Sequence, residues 1–118
     1  MKTSDDFFDA LEDIGEIKNV KNTIIEFWGD DYPVTLLFSE LGKSVVRNFE
    51  RYTAHQMRKI FLLTEEIMEN GNDSIKSYVA TGFLESLASE LKKMELNIEI
   101  YQFIGERSKK YMDIWNNL

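Results

Sequence analysis

Apolar residues recur at spacings of three and four along nearly the whole chain, the period of a helix with one buried face. The pattern is clearest from Val34, where Leu37, Phe38, Leu41, Val45, Phe49 and Tyr52 follow one another on a single stripe. It predicts a helix over 34–52, with Lys43, Arg47, Asn48, Glu50 and Arg51 on its other side. Pro33 suits the first turn of that helix, where its missing N–H has no partner to lose. Gly42 lies mid-helix, at a cost of about 1 kcal/mol relative to alanine, which is best explained by close approach of a neighbouring helix. Upstream, Thr3-Ser4-Asp5-Asp6 can cap a first helix carrying Phe7, Leu11 and Ile14 on one face, and Gly15 is expected to end it. A second helix is expected from Asn19 to Trp28, with Val20, Ile24, Phe27 and Trp28 apolar, before Gly29-Asp30-Asp31-Tyr32-Pro33 breaks the pattern.

Downstream, residues 53–69 set Met57, Ile60, Phe61, Thr64, Ile67 and Met68 on one face. Asn70-Gly71 stops this helix, and Asn72 or Asp73 caps the next, with Ile75, Val79, Gly82, Phe83, Leu87 and Leu91 as its stripe. A loop so short makes the two helices antiparallel. Shorter helices are expected from about Leu96 to Ile104 and, beyond Gly105, from Glu106 to Asn116. Ile98, Tyr101, Phe103, Ile104, Tyr111, Ile114 and Trp115 supply their apolar faces. Together these elements predict an all-α domain over 1–118, a compact set of antiparallel helical hairpins resembling stacked HEAT-like pairs. No linker or low-complexity tract divides it, and no period recurs three times.

Composition agrees. The 118 residues are 43% hydrophobic and 13% aromatic, with one proline, so the chain can build a core of large side chains. It has no cysteine, which excludes disulfides, thiolate catalysis and cysteine-based zinc sites, and fits a reducing compartment. No apolar run approaches the roughly 20 residues that span a bilayer. The acidic N-terminus does not read as a signal peptide. A cytoplasmic protein is expected. The net charge of −7 is uneven. Residues 1–31 carry nine acids against three lysines, whereas 32–118 carry twelve against eleven basic residues. Such a face repels nucleic acid and membrane surfaces and attracts basic proteins, although charge of this size also keeps a small protein soluble.

Candidate chemistry is sparse. His55 is the sole histidine, so neither a multi-histidine metal site nor a histidine-centred triad has obvious partners. Glu65 and Glu66 are adjacent on a helix, point in different directions and read as a solvated face. Asn70-Gly71-Asn72-Asp73-Ser74 lacks the ligand spacing of a calcium loop, and the glycines form no phosphate-binding motif. These residues predict no enzyme, cofactor or metal. What remains is surface. Trp28 and Tyr32 flank Asp30 and Asp31 on one loop, a combination suited to a basic protein partner. The aromatic rings could instead plug the core, and the two acids could cap the following helix. The acids Asp5, Asp6, Asp9, Glu12, Asp13 and Glu16 present the same choice between a binding face and solubilising charge, with Asp9, Glu12 and Asp13 the preferred contacts.

Three segments carry a family resemblance. They are Tyr32-Pro33-Val34-Thr35-Leu36-Leu37-Phe38-Ser39-Glu40-Leu41-Gly42, then Val79-Ala80-Thr81-Gly82-Phe83-Leu84-Glu85-Ser86-Leu87, then Phe103-Ile104-Gly105-Glu106-Arg107-Ser108-Lys109-Lys110-Tyr111. In this order they resemble small bacterial all-helical proteins encoded near polymorphic toxins and interpreted as immunity proteins. The resemblance covers about residues 32 to 115 and rests on packing motifs. Glu106 stands where such tails often carry proline, a departure that bears on the start of the last helix. The resemblance implies a non-catalytic scaffold that occludes a cognate toxin, a basic one where the toxin is a nuclease, by steric and electrostatic contact. Two other readings of the residues stay open: a helical adaptor that binds a host protein or itself, and an acidic mimic of nucleic acid.

Overall fold

Two reciprocal capping boxes fix where the chain enters its helices in the computed structural model, which describes residues 3–94 and 98–116 (98, 115 and 116 as backbone alone). Thr3 caps α1 (Ser4–Ala10): the Asp6 N–H donates to Thr3 Oγ1 at 3.1 Å, and the Thr3 N–H donates to Asp6 Oδ2 at 3.2 Å. Thr53 and Gln56 repeat the arrangement for α4 (Ala54–Asn70) at 3.1 and 2.9 Å. Each box satisfies N–H groups that a helix start leaves without partners. Between them lie α2 (Gly15–Trp28) and α3 (Val34–Arg47). After α4 come α5 (Asp73–Ser77), a π-helical stretch (Tyr78–Leu84) and α6 (Glu85–Lys93), which run on as one rod, then α7 (Ile98–Tyr101) and α8 (Glu106–Asn116). The described residues contain no strand, and the fold is all-α, as the pattern predicted. A radius of gyration of 13.2 Å is that of a compactly folded chain of this length.

Boundaries differ from the sequence expectation in the first three helices, and buried faces differ in the tail. Gly15 does not end the first helix; α1 stops at Ala10, and Gly15 opens α2 four residues earlier than the pattern suggested. Leu11 and Ile14 keep their predicted burial from the turn between them. The third helix ends at Arg47, and Phe49–Arg51 form a 3₁₀ turn that brings the Tyr52 hydroxyl within 2.8 Å of Ser44 Oγ. In the tail, Ile104 is buried and Phe103 and Tyr111 pack against the core as predicted, whereas Tyr101 and Ile114 are exposed and Ile100, Ser108 and Met112 are buried without having been predicted. The expected start at Leu96 and the side chains of Ile98 and Trp115 lie outside the described residues.

The tightest packing joins α3 to the rod. A Cβ on Gly82 would come within 2.6 Å of Phe38 Cβ and 3.0 Å of the Thr35 carbonyl oxygen. A Cβ on Gly42 would meet the Phe83 carbonyl oxygen at 2.8 Å and Ser86 Cβ at 3.0 Å. The Ser86 hydroxyl donates to the Ser39 carbonyl at 2.7 Å, and farther along Arg47 reaches Glu90. Both partners of these contacts advance together in sequence, so the two helices run parallel. The 17 residues of α4 must therefore carry the chain back between them. The π stretch sits at this crossing, with Val79, Gly82, Phe83 and Leu84 buried. Three phenylalanines lock α1 onto α3: the Phe7, Phe8 and Phe38 rings lie 5.0–5.1 Å apart. Tyr78 stacks on Phe38 at 6.0 Å.

Candidate functional site

Helix α2 is the outermost long helix, and only Ile17 and Ile24 of its 14 residues are buried. At 100° per residue, Phe27 continues the line of Val20 and Ile24, and Trp28 continues the line of Ile17 and Lys21. Both aromatic side chains thus flank the stripe that faces the core. Yet Phe27 is 86% exposed and Trp28 54% exposed. The last turn of α2 therefore overhangs the body and leaves the end of its apolar stripe largely uncovered. Gly29 then ends the helix at φ 74°, a left-handed conformation that a side chain would strain. Trp28 consequently does not plug the core. Tyr32 is half-buried and packs against the core, and Asp30 and Asp31 are exposed. Pro33 occupies the cap position of α3, which has no side-chain cap. No lysine or arginine occurs between Lys21 and Lys43, and the charged residues nearest the exposed aromatics in sequence are Glu26, Asp30 and Asp31.

The second group of predicted contacts lies elsewhere. Asp9, Glu12 and Asp13 border an open groove of about 570 Å³ between α1 and α2, with Lys18, Lys21 and Ile25 on the opposite wall. Fourteen helical residues separate this group from the aromatic corner by roughly 20 Å, so the two do not form one compact patch. Asp13 is also engaged: Lys59 Nζ lies 2.9 Å from its carboxylate, and that hydrogen bond holds the carboxyl below its ordinary pKa. The adjoining acids Asp5 and Asp6 are exposed, with Asp6 part of the α1 cap.

Other ionisable groups serve packing. Glu90, its side chain 4% exposed, takes a bidentate pair from Arg47 at 3.1 and 2.9 Å, with Lys93 at 3.7 Å. The Arg47 hydrogen bond holds the Glu90 carboxyl below its usual range, and the same bond raises Arg47. Glu65 is no solvated acid. It accepts the N–H of Arg107 at 2.8 Å and the N–H and hydroxyl of Ser108 at 3.1 and 2.9 Å, capping α8 from another helix. Its carboxylate occupies the place a Cβ on Gly105 would need. Sequence spacing could not reveal either arrangement, because the partners are 42–43 residues apart. His55 is exposed at the start of α4. Among the described residues no group of three or more His, Asp or Glu side chains is placed to hold a metal ion, and no helix is long and apolar enough to cross a membrane.

No curated protein and no solved structure matches the chain. One family model, described as a domain of unknown function (DUF7674), matches residues 9–117, which takes in every described helix from α2 onward, the overhanging corner and the groove lining apart from Phe8. Since that match spans nearly the whole chain, the protein belongs to the DUF7674 family.

Proposed function

We propose that this protein is a non-catalytic protein-binding module, and within that class an immunity protein that occludes a cognate toxin in the bacterial cytoplasm. The observation that carries the reading is the overhang of α2, which holds Phe27 and Trp28 in solvent beside Glu26, Asp30 and Asp31. Large rings of this kind remove on the order of 150–250 Å² each from water when a partner covers them. Two of them can therefore anchor an interface, while the acids around them steer a basic partner and set its salt dependence. The ionisable groups shifted from their ordinary pKa support a scaffold: Glu90, Arg47, Tyr52, Asp13 and Tyr111 each pair with a neighbouring element instead of converging on a cleft.

The test is co-expression with the product of the adjacent upstream open reading frame. Rescue of growth, with co-purification of a stable complex, is the expected result. An upstream product that is harmless by itself and does not co-purify would remove the immunity reading.

A further inference from the structure

Helix α4 ends on Asn70, which is exposed, and Gly71 follows it in an extended conformation at φ −69° and ψ 159°. No positive φ calls for glycine at this position; packing does. A Cβ on Gly71 would lie 2.7 Å from the Ile67 carbonyl oxygen and 2.9 Å from Ile75 Cγ2, where α4 turns back into the rod. Packing thus holds at 71 the residue that shields its main-chain nitrogen least. No other asparagine of the chain precedes a glycine; those followed by another residue all have a larger one next. A side-chain amide beside an unshielded main-chain nitrogen can cyclise. The Gly71 nitrogen gives up its proton and attacks Asn70 Cγ, the new C–N bond closes a cyclic imide, and the amide nitrogen leaves as ammonia, taking up that proton. Water then opens the ring at either carbonyl, leaving aspartate or an isoaspartate whose main chain runs through the side-chain methylene.

The folded turn restrains this reaction without removing it. The Gly71 N–H donates to the Ile67 carbonyl at 2.8 Å, which holds the proton that has to leave. On the other side of Gly71, Asn72 caps α5 by accepting the Ile75 N–H at 3.0 Å. Cyclisation therefore waits on opening of the last turn of α4, and helix ends lie at the low end of local stability. We propose that Asn70 is a self-modifying site, converted through an imide with Gly71 to aspartate and isoaspartate when the end of α4 opens. Neither product restores the turn. The isoaspartyl main chain is one methylene longer, which shifts the Gly71 N–H away from the Ile67 carbonyl. Either product adds a negative charge at the C-terminus of α4, between Glu69 and Asp73 in sequence, where the helix dipole disfavours it. Age thus loosens the joint between α4 and the rod.

Incubation of the full chain at mildly alkaline pH, folded and in urea, tests the proposal. Tryptic digestion then isolates the peptide Ile60–Lys76, with fresh protein digested alongside as the baseline. Fragmentation locates the mass gain of amide-to-acid exchange, and an isoaspartyl methyltransferase labels the isoaspartate. Asn70 is expected to convert before any other asparagine. Its rate in the folded chain should be at least about twofold below that in urea, the population factor for opening one capping hydrogen bond. Asn70→Gln should lose the conversion, because its longer side chain closes a ring far less readily. Protein enriched in isoaspartate should unfold at lower urea concentration than Asn70→Asp, which adds the charge without lengthening the main chain. The proposal is overturned if Asn70 converts only in urea, if folding leaves its rate unchanged, or if another asparagine converts first. Conversion that persists in Asn70→Gln, or an isoaspartyl form as stable as Asn70→Asp, would overturn it equally.

Discussion

The Glu65 carboxylate accepts both the backbone N–H and the hydroxyl of Ser108, at 3.1 and 2.9 Å, and so holds the start of α8 against α4. The same carboxylate accepts the Arg107 N–H, so one side chain satisfies two of the free donors at a helix start. Removing it by Glu65→Ala should destabilise the fold by about 1–3 kcal/mol, the usual range for a lost cap with buried donors left behind. Gly105→Ala should destabilise too, since its Cβ would collide with this carboxylate. Urea denaturation gives both values. Equal stability of Glu65→Ala and wild type would show the cap to be dispensable.

Glycine replacements should differ in sign according to what surrounds each one. Gly42→Ala and Gly82→Ala place a methyl group against the facing helix, at 2.8 and 2.6 Å from its nearest atoms. Overpacking of this kind typically costs about 1–3 kcal/mol, which outweighs the roughly 1 kcal/mol gained in helix propensity. Gly15 has open space around its Cβ position and no positive φ, so Gly15→Ala should stabilise by about 0.4–1 kcal/mol. Thermal melts of the three variants check the sign directly. Stabilisation by Gly82→Ala would contradict the close crossing of α3 and the rod.

The pair of Arg47 and Glu90 should matter most when one member is removed. Arg47→Ala leaves a nearly buried carboxylate with only the weaker attraction of Lys93 and Lys43, at a cost of about 2–3 kcal/mol, below the range for a fully buried pair because Arg47 is 54% exposed. Glu90 titrates below its ordinary value, first because Arg47 hydrogen-bonds its charged form. Its contribution is therefore complete above the unfolded pKa, about 4.3, and is lost as pH falls through the lower native value. Denaturation midpoints from pH 6 downward should converge for wild type and Glu90→Gln. A gap that stays constant with pH would mean that Glu90 does not titrate in this way.

Tyr111 donates its hydroxyl to Glu85 at 2.7 Å, and burial followed by that hydrogen bond pushes its pKa up to about 12. The native state favours the neutral phenol. This stabilisation is present below the ordinary tyrosine value, about 10, and is lost as pH rises from there toward 12. Tyr111→Phe should flatten the stability profile over that window. A spectrophotometric titration in which all five tyrosines ionise together near the ordinary value would refute the assignment.

The overhanging corner should separate binding from stability. Phe27→Ala and Trp28→Ala remove solvent-exposed rings and should change stability by less than about 0.5 kcal/mol, while abolishing rescue in the co-expression assay. Asp30→Asn with Asp31→Asn should weaken association and reduce its dependence on salt. Isothermal titration of the purified complex at two ionic strengths measures both effects. Unchanged affinity in the double variant would remove these acids from the interface.

Sequence periodicity alone determined the all-α class, because burying one face of an amphipathic helix leaves a mark every three or four residues whatever the helix packs against. It also placed a helix cap within Thr3–Asp6, where the structure assigns it to Thr3, and predicted the close approach at Gly42, both of which follow from local stereochemistry. The helix starting at Gly15, the 3₁₀ turn before Tyr52 and the cap supplied by Glu65 depend on partners distant in sequence, and no local pattern encodes them. The candidate site shows the same division. Trp28, Asp30 and Asp31 stood out as a residue combination, but the pattern gave Phe27 and Trp28 equally well to the core. Only the tertiary structure decided that α2 outruns the body beneath it, since a helix carries its stripe to its last turn and the surrounding elements determine how much of that stripe is covered.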